Sequence, residues 1–357
     1  MALYMQIEKI LTPALLLDYD VMLANMDKMD QILRGTGMKL YPHYKTHKST
    51  ALAKLQMERG AGGITCAKLS EARDLLDQGI RTLVIANQIV QPEKIAELAS
   101  MAKDADITVC VDQEENIAAL QQACASAGSR LKILVEFEVG MKRCGVESFR
   151  DFLRLAMKIK EQPCLTFEGI QAYAGNLAHE LDAALRHEEM QKAEARVREL
   201  ADYLAQNGVE VREVAGTSTG TVLDKPRDTL YTQIQAGSYV FMDASYARLK
   251  LPFEQALHLA VTVLSVKPDR FVVDCGVKSL TMDQVPPYFP GYEDCELSFS
   301  EEHTTVFKAD SGLHPGDTLL CVPGHCCTTV NNFKTLYVLK KGAAAECWPI
   351  ESAGKAQ

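Results

Sequence analysis

The stretch 43–48 places two lysines and two histidines within six residues, in the order His-Tyr-Lys-Thr-His-Lys. A lysine that is partly dehydrated among other cations has a lowered pKa, so its neutral amine can attack a carbonyl carbon and form a Schiff base. Lys45 also follows the apolar run 38–43, which reads as a strand, and α/β proteins place their chemistry at the C-terminal ends of strands. The stretch therefore indicates a Schiff-base lysine at position 45, with a solvated basic loop as the alternative interpretation.

Glycines and hydroxyl-bearing residues follow two later apolar runs. The segment 215–221 reads Ala-Gly-Thr-Ser-Thr-Gly-Thr, and the segment 235–239 reads Gln-Ala-Gly-Ser-Tyr. Glycines allow backbone N–H groups to converge on an anion, and hydroxyls donate further hydrogen bonds, so both segments are candidate phosphate loops. Structural turns with a serine-rich tip are the alternative. The candidate binding residues are Gly216, Thr217, Ser218, Thr219, Gly237, Ser238 and Tyr239.

One arginine lies in a loop that is bounded by glycines. Arg143 belongs to the segment 140–145, Gly-Met-Lys-Arg-Cys-Gly, which follows the apolar run 131–136. A guanidinium that is held in place can bind a phenolate or a carboxylate through charge-assisted hydrogen bonds. The loop therefore predicts an anion contact at Arg143, and an ordinary surface arginine is the alternative.

The segment 322–330 reads Val-Pro-Gly-His-Cys-Cys-Thr-Thr-Val and contains a candidate metal-binding pair. On an extended segment, residues two apart share a face, so His325 and Cys327 are expected to point together. One imidazole and one thiolate suit Zn²⁺, and two protein ligands would leave open positions, as a catalytic zinc requires. Buried cysteines on a β-strand beside an unrelated histidine are the alternative.

An alternation of strands and helices must position these residues. The apolar runs that read as strands are 38–43, 63–66, 82–86, 107–111, 131–136, 167–173, 210–215 and 231–236. The helical segments between them are 49–60, 70–78, 92–103, 113–127, 148–160 and 180–207. Eight parallel strands separated by helices predict a (β/α)₈ TIM-like barrel, in which phosphate sites often lie after strands seven and eight. The alternative is an open doubly wound sheet, which the lack of a Gly-x-Gly-x-x-Gly helix start disfavours.

The pattern changes beyond residue 247. Five β-rich runs follow, with turn sequences such as Pro-Gly and no expected helix between them: 257–266, 271–274, 304–308, 318–322 and 334–339. The fold class is therefore α/β, a TIM-like barrel with a second, mostly β C-terminal domain.

Charge and cysteine content exclude several classes of protein. The net charge of −9 over 357 residues argues against a nucleic-acid or anionic-membrane partner. There is no apolar stretch long enough to span a membrane, and the segment 1–10 lacks the pattern of a signal peptide, so we expect a cytoplasmic protein. Eleven irregularly spaced cysteines suit reduced thiols better than a disulfide framework.

Taken together, these residues resemble the D-serine dehydratase and D-threonine aldolase family, which shares its barrel with alanine racemase and binds pyridoxal 5′-phosphate. The resemblance runs in order through seven segments: 42–48, 140–145, 216–221, 237–243, 274–278, 301–303 and 323–327. It implies that Lys45 is the Schiff-base lysine, that Arg143 contacts the phenolic oxygen of the cofactor, and that the two glycine-containing loops hold its phosphate. It also implies that His325 and Cys327 are metal ligands.

The resemblance further implies a domain division and an assembly. It moves residues 12–18 into the β domain, which gives a barrel of 20–247 and a β-rich domain of 1–19 plus 248–357 that carries the metal-ligand pair. Relatives are head-to-tail homodimers in which the β domain of one subunit closes the barrel mouth of the other. We therefore expect a homodimer.

Three positions depart from the family pattern or add to it. Gln235 stands where alanine racemase has an arginine near the pyridine nitrogen, so Gln235 is a candidate contact to that nitrogen. Tyr173 is a second candidate for contact with the cofactor ring. Asn176 stands where many relatives have histidine, which bears on substrate preference.

The resemblance implies a pyridoxal phosphate- and zinc-dependent dehydratase of D-serine or related 3-hydroxy-D-amino acids, which gives a 2-oxo acid and ammonia. The His-x-Cys pair is similar to that of the dehydratases, whereas His-x-Asp is similar to that of the aldolases. The alternative is a metal-dependent aldolase that cleaves D-threonine or another 3-hydroxy-D-amino acid, with Mn²⁺ or Mg²⁺ in place of Zn²⁺. A non-catalytic pyridoxal phosphate carrier is a third interpretation, against which the β domain and the metal pair argue.

Overall fold

The structure is a computed structural model that describes residues 10–225 and 228–357, except for the side chain of Ala345. Residues 1–9, which we expected in the β-rich domain and without a signal peptide, lie outside the described residues. The described residues form two compact units. The β unit comprises 10–31, Thr46–Ala51 and Ser238–Gly354, and the barrel unit comprises Ile32–Lys45, Leu52–Gly237 without 226 and 227, and Lys355–Gln357.

The strands of the described residues are numbered in chain order. They are β1 (Ala14–Asp18), β2 (Lys39–Leu40), β3 (Ile64–Cys66), β4 (Thr82–Gln88), β5 (Asp106–Val111), β6 (Leu131–Glu136), β7 (Leu165–Ala172), β8 (Glu213–Gly216), β9 (Gln233–Ile234), β10 (Leu257–Lys267), β11 (Arg270–Val273), β12 (Glu296–Phe299), β13 (Thr304–Phe307), β14 (Thr318–Cys321), β15 (Thr335–Lys340) and β16 (Ala343–Pro349). The helices are Tyr19–Leu33, Thr50–Glu58, Leu69–Asp77, Pro92–Met101, Glu114–Ala127, Phe149–Lys160, Ala183–Gln206, Ala244–Ala247 and Cys326–Val330.

The barrel unit is built on one sheet of eight strands in the order β2-β9-β8-β7-β6-β5-β4-β3, and all neighbouring pairs are parallel. The two ends of this sheet meet. His43 forms a parallel bridge with Thr65, and the Thr65 N–H donates to the Pro42 carbonyl at 3.0 Å. Because Pro42 and His43 continue β2, this pairing joins β2 to β3 and closes the sheet. The predicted TIM-like barrel is confirmed.

Helix Phe149–Lys160 shows why the outer layer of the barrel forms where the sequence predicts it. The Ser148 hydroxyl accepts a hydrogen bond from the Asp151 N–H and caps the first turn. The buried side chains of the helix recur three or four residues apart, which gives one apolar face. They are Phe152, Leu155, Ala156 and Ile159.

The β unit contains a second sheet in the order β12-β13-β11-β10-β1-β15-β16, with β14 paired to β10. Strand β1 runs antiparallel to β10 and parallel to β15. Its successive residues Leu15, Leu16 and Leu17 are no more than 1% exposed, so both faces of this strand are covered. The predicted second, mostly β domain is therefore present.

Two strands of the β unit were missed by the sequence patterns. In β12, exposed and half-buried residues alternate at the edge of the sheet, so its apolar pattern is weak. Strand β16 begins with three alanines, which have low β propensity, and it forms by antiparallel pairing with β15. Both strands therefore form because backbone hydrogen bonds to a neighbouring strand stabilise them, although their own β propensity is low.

Among the helices of the described residues, none has the length and the apolar composition that a membrane crossing requires.

Candidate active site

Lys45 lies in a short 3₁₀ turn, Tyr44–Thr46, that follows β2 and its continuation. In the barrel unit, its Nζ is 6.0 Å from the centroid of the Tyr173 ring. Tyr173 itself follows β7, so the C-terminal ends of two barrel strands bring these residues together. The side chain of Tyr44 is fully buried and anchors the turn.

The loop that follows Lys45 is tied to the C-terminal segment of the chain, and both belong to the β unit. The Glu351 carboxylate accepts hydrogen bonds from the Thr50 N–H at 2.9 Å and from the Thr50 hydroxyl at 2.5 Å, which caps helix Thr50–Glu58. The Lys48 ammonium donates a hydrogen bond to the Ser352 carbonyl at 3.3 Å, and the Ser352 N–H donates to the Lys48 carbonyl at 3.3 Å. Lys48 has a φ of 51°. These contacts hold a backbone turn that the local sequence alone would not favour.

Replacing Glu351 by alanine is expected to lower the free energy of unfolding by about 1–2 kcal/mol, because the capped N–H and hydroxyl of Thr50 lose their acceptor. Urea unfolding followed by circular dichroism measures the change. The matched control is Glu346→Ala, since Glu346 forms an exposed ion pair with Lys340 and is expected to contribute less than about 1 kcal/mol. Equal effects in the two variants would contradict the capping role.

Arg143 lies beside the same tyrosine ring as Lys45. Its Cζ is 5.9 Å from the centroid of the Tyr173 ring, and one of its guanidinium nitrogens is 3.7 Å from the Glu136 carboxylate. Gln88 donates a hydrogen bond to the other Glu136 oxygen at 2.6 Å. Burial raises the pKa of Glu136, and the Gln88 hydrogen bond and the Arg143 charge offset part of that effect. The cluster can therefore present a fixed guanidinium to an anionic oxygen.

The sequence patterns did not single out Glu136 and Gln88. Both are the last residues of barrel strands, β6 and β4. Polar residues that end otherwise apolar strands at the C-terminal edge of a barrel are a recognisable signal. That signal could have identified both residues.

Two further contacts position the Arg143 loop. The Gly145 N–H donates to Asp112 at 3.0 Å, and the Arg143 N–H donates to Glu138 at 3.3 Å. Asn176, at the position where we expected histidine, lies against this loop. A Cβ added at Gly140 would come within 3.1 Å of the Asn176 amide.

The first predicted phosphate loop has the geometry of a close backbone turn after β8. A Cβ at Gly216 would lie 2.1 Å from the Ala172 carbonyl oxygen, and a Cβ at Gly220 would lie 1.9 Å from the Ala178 carbonyl oxygen. Only glycine therefore fits at these two positions. The Thr221 hydroxyl accepts a hydrogen bond from the Ser218 N–H at 3.1 Å, which closes the turn.

Thr217 carries the strongest sign that this loop binds a ligand. It has a φ of 73° and is 2% exposed, and its Oγ1 has no hydrogen-bond partner among the described residues. A buried hydroxyl without a partner is costly, and a β-branched residue is strained at positive φ. An anion with oxygen acceptors would satisfy this hydroxyl, so the loop fits a phosphate group. The neighbouring Thr219 is also buried.

Gln235, the candidate for contact with the pyridine nitrogen, is buried and pairs with a second amide. Its Oε1 accepts from Gln171 Nε2 at 2.8 Å, and its Nε2 donates to Gln171 Oε1 at 3.1 Å. The reciprocal bonds fix the orientation of both side chains. A neutral amide at this position can supply a hydrogen bond but no charge. Gln171, on β7, was not identified from the sequence.

In the second predicted phosphate loop, Gly237 ends the barrel unit, and Ser238 and Tyr239 begin a 3₁₀ turn of the β unit. Tyr239 is 1% exposed and packs against Phe253 with ring centroids 5.8 Å apart. Within the β unit, the Ser238 hydroxyl lies 3.8 Å from the Cys327 sulfur. The Thr46 hydroxyl lies 3.5 Å from the same sulfur.

The backbone at the predicted metal pair differs from the prediction. We expected an extended segment without helix, but residues Cys326–Val330 form a short helix, and His325 is its N-cap residue with a φ of −141°. The buried Asp243 carboxylate accepts the Cys326 N–H at 2.8 Å, which favours a turn here. The alternation argument for the pair is therefore wrong, although the side chains of His325 and Cys327 do interact.

Electrostatics in the β unit favours the protonated form of His325. Burial by itself lowers the pKa of His325, but the hydrogen bond and charge of Cys327 and the carboxylate of Asp283 outweigh it and raise that pKa to about 9. An imidazole in contact with a thiol is a donor set that suits Zn²⁺. In residues 10–225 and 228–357, no three His, Cys, Asp or Glu side chains are grouped as a metal site. A cation held by this pair would therefore keep open positions.

Comparison with known proteins identifies the family. The family model of the alanine racemase N-terminal domain matches residues 17–245, and the model of a serine dehydratase domain matches residues 256–339. The chain is 36% identical over 360 residues to the 3-hydroxy-D-aspartate aldolase of Paracoccus denitrificans (strain Pd 1222), with 97% of this chain and 93% of that protein covered.

Two further proteins are similar over most of their length. The crystal structure of D-threonine aldolase from Filomicrobium marinum superposes with a TM-score of 0.95 and 32% identity, and 98% of each chain is covered. The D-threo-3-hydroxyaspartate dehydratase of Delftia sp. (strain HT23) is 26% identical over 369 residues, with 94% of this chain and 96% of that protein covered. This chain therefore belongs to the alanine racemase-like, fold type III family of pyridoxal phosphate enzymes, in the group of lyases that contains D-threonine aldolase, 3-hydroxy-D-aspartate aldolase and D-serine dehydratase.

Proposed function

We propose that this protein is an aldolase that cleaves the Cα–Cβ bond of 3-hydroxy-D-amino acids and releases glycine and an aldehyde. The observation that carries the proposal is its nearly full-length similarity to two aldolases, at 36% and 32% identity, compared with 26% for a dehydratase. Whole-chain similarity reflects every residue around a site, whereas the His-x-Cys pattern reflects two. The aldolase reaction, which the sequence analysis gave as the alternative to dehydration, is therefore favoured.

The dehydratase remains the second candidate, and one observation favours it. Cys327 places a soft thiol beside His325, where the resemblance associates a carboxylate with aldolases. A cation near the β-hydroxyl would assist either its loss or the cleavage of Cα–Cβ, so the pair is compatible with both reactions.

Lys45 is the residue that we propose to hold the cofactor covalently. When bound, pyridoxal phosphate supplies a conjugated ring that takes up the electrons left at Cα as the bond to Cβ breaks. The Lys45 amine supplies the nucleophile for its aldehyde carbon. Arg143, balanced by the buried Glu136, would donate to the phenolic oxygen of the cofactor and help to orient its ring. Tyr173, whose ring lies about 6 Å from both cations, would contact the ring of the cofactor.

The remaining binding groups anchor and orient the cofactor. We propose that the Thr217 hydroxyl and the backbone N–H groups of residues 216–219 hold the phosphate, because the buried hydroxyl needs an acceptor. Gly237, Ser238 and Tyr239 contribute the second loop. Gln235, held by Gln171, would offer the cofactor ring a neutral hydrogen-bonding group.

His325 and Cys327 are the residues that we propose to hold a divalent cation. The thiolate favours Zn²⁺ over Mn²⁺ or Mg²⁺. A cation here supplies Lewis acidity that makes a substrate hydroxyl easier to deprotonate. The hydroxyls of Thr46 and Ser238 orient the Cys327 side chain, because both lie within 3.8 Å of its sulfur.

The partners that we propose are a small D-amino acid and a second copy of the chain. The homodimer is supported by the resemblance alone. Light scattering of the purified protein tests it: we expect about twice the chain mass of 39.4 kDa, and a monomer at micromolar concentration would contradict it.

Product analysis tests the proposed reaction. With D-threonine, pyridoxal phosphate and Zn²⁺, we expect glycine and acetaldehyde. With 3-hydroxy-D-aspartate, we expect glycine and glyoxylate. A 2-oxo acid with ammonia would instead establish the dehydratase. Tight cofactor binding without turnover or bound zinc would favour the carrier, which has no need of a metal.

Replacing Thr217 by valine is expected to weaken pyridoxal phosphate binding by roughly 10–100-fold, because a hydrogen bond to a charged group contributes about 1.5–3 kcal/mol. Valine keeps the β-branched shape at the strained backbone position, so the change isolates the hydroxyl. Cofactor titration followed by absorbance measures the dissociation constant. Thr166→Val is the control, because Thr166 lies at the N-terminal end of β7, away from the loops that follow the strands. This variant should bind the cofactor as the natural protein does. Unchanged affinity in Thr217→Val would contradict the phosphate role.

A further inference from the structure

Asp283 is a carboxylate that the proposed reaction does not use, and it lies against a proposed metal ligand. Its Oδ2 is 2.7 Å from Nδ1 of His325, and its Oδ1 accepts a hydrogen bond from the Thr328 hydroxyl at 2.9 Å. Both carboxylate oxygens therefore have partners on the segment that carries the metal pair. The His325 side chain is only 16% exposed, so the ring has little freedom to turn away.

The contact with Asp283 determines which ring nitrogen of His325 is available. An ionised carboxylate can only accept a hydrogen bond, so when the imidazole gives up one proton to bind a cation, the hydrogen that remains lies on Nδ1. Nε2 then keeps its lone pair for a cation. Histidines that bind metals commonly donate their other N–H to a carboxylate, which fixes the tautomer and the ring orientation and makes the ligand more basic.

The segment that carries Asp283 is closely fitted to the metal-binding segment. The Thr281 hydroxyl lies 2.5 Å from the Thr328 hydroxyl and 3.1 Å from the Thr329 hydroxyl. A Cβ at Gly324 would lie 2.0 Å from the Val285 carbonyl oxygen, so only glycine permits this approach. Asp283 is therefore held in place beside His325 by the backbone and hydroxyl contacts on both sides of it.

We propose that Asp283 is a positioning residue for the metal centre, which holds His325 with its hydrogen on Nδ1 and its Nε2 directed to a divalent cation shared with Cys327. This inference rests on the metal pair of the proposed function. It adds a residue that acts through the imidazole and does not itself ligate the cation.

Zinc titration of the metal-stripped, pyridoxal phosphate-loaded protein tests the inference, with a chelator of known affinity as competitor. Asp283→Ala is expected to weaken Zn²⁺ binding by roughly 10–100-fold, the usual effect of losing such a partner. Asp283→Asn keeps an oxygen that can accept from Nδ1, so a smaller loss is expected. Glu301→Gln, which removes an exposed carboxylate paired with Lys278 in the same unit, controls for charge and should keep the natural affinity.

Each outcome supports or overturns the inference. It is overturned if Asp283→Ala binds Zn²⁺ as tightly as the natural protein, if Glu301→Gln loses as much affinity, or if Asp283→Ala loses binding as completely as His325→Ala, since Asp283 would then be a ligand. A natural protein that binds no Zn²⁺ overturns this inference and the metal pair together. Dehydration products from the natural protein with normal Zn²⁺ affinity would overturn only the proposed reaction.

Discussion

Replacing Lys45 by alanine is expected to lower the rate of D-threonine cleavage by at least about 10³-fold and to abolish covalent retention of pyridoxal phosphate. The reason is local to the barrel unit. Lys45 and Arg143 both approach the ring of Tyr173, at 6.0 Å and 5.9 Å from its centroid. Alanine leaves the phenol and the guanidinium in place, but it removes the amine that attaches the cofactor.

Two measurements check the Lys45 prediction. The first is the visible absorbance of the purified protein before and after borohydride reduction and denaturation, because only a reduced covalent link survives unfolding. The second is acetaldehyde formation from D-threonine. Lys54→Ala is the matched control, since the Lys54 ammonium bonds only the exposed Gln78 side chain at 2.8 Å among its described contacts. A reduced, cofactor-labelled protein in the Lys45→Ala variant would place the attachment at another lysine.

The barrel could be predicted because its strands and helix ends have local signals. Strand β6 was predicted at 131–136 and lies there, since a buried parallel strand is apolar on both faces. Helix Glu114–Ala127 was predicted at 113–127 and ends where Gly128 adopts a φ of 69°. The order of these signals along the chain was enough to count eight strands and to place Lys45 after the first.

The candidate site could be predicted only in part. Its motifs are local in sequence, but the residues that hold the motif side chains in place come from other strands. Lys45, Arg143 and Tyr173 each follow a barrel strand, so the topology brings them to one edge. Glu136 and Gln171 read as the ends of apolar strands, and their contacts with Arg143 and Gln235 join different strands. A single sequence does not contain those pairings.

The β unit was harder to predict for the same physical reason. Glu351 caps a helix 301 residues away in sequence, and Asp283 lies 42 residues from His325. The short helix at Cys326–Val330 depends on Asp243, which accepts the Cys326 N–H from a distant segment. The side chains of His325 and Cys327 do interact, but the extended backbone expected for them was wrong, because tertiary hydrogen bonds outweighed the β propensity of Cys, Thr and Val.

Replacing Cys327 by alanine is expected to abolish Zn²⁺ binding and to slow D-threonine cleavage by at least about 10²–10³-fold, because a cation near the reacting hydroxyl contributes several kcal/mol. Of the two proposed protein ligands, only His325 would remain. Zinc content after dialysis and acetaldehyde formation measure the two effects. Full turnover in a chelator-treated Cys327→Ala variant would contradict the metal role.

Cys326 provides the matched control, and a carboxylate at position 327 tests the metal preference. Cys326 is fully buried, its backbone N–H donates to the Asp243 carboxylate, and its sulfur lies 4.0 Å from that of Cys327 without being one of the proposed ligands. Cys326→Ala should therefore keep zinc and turnover, with a stability loss of about 1–2 kcal/mol from the small cavity.

Cys327→Asp replaces a soft ligand with a hard one, so we expect lower Zn²⁺ affinity and cleavage that Mn²⁺ restores. The substrate and Lys45 are the same in both proteins, so dehydration by the natural protein with cleavage by Cys327→Asp would contradict the proposed aldolase and assign the choice of reaction to the ligand at position 327. Cleavage by both would mean that residues beyond the metal pair decide it.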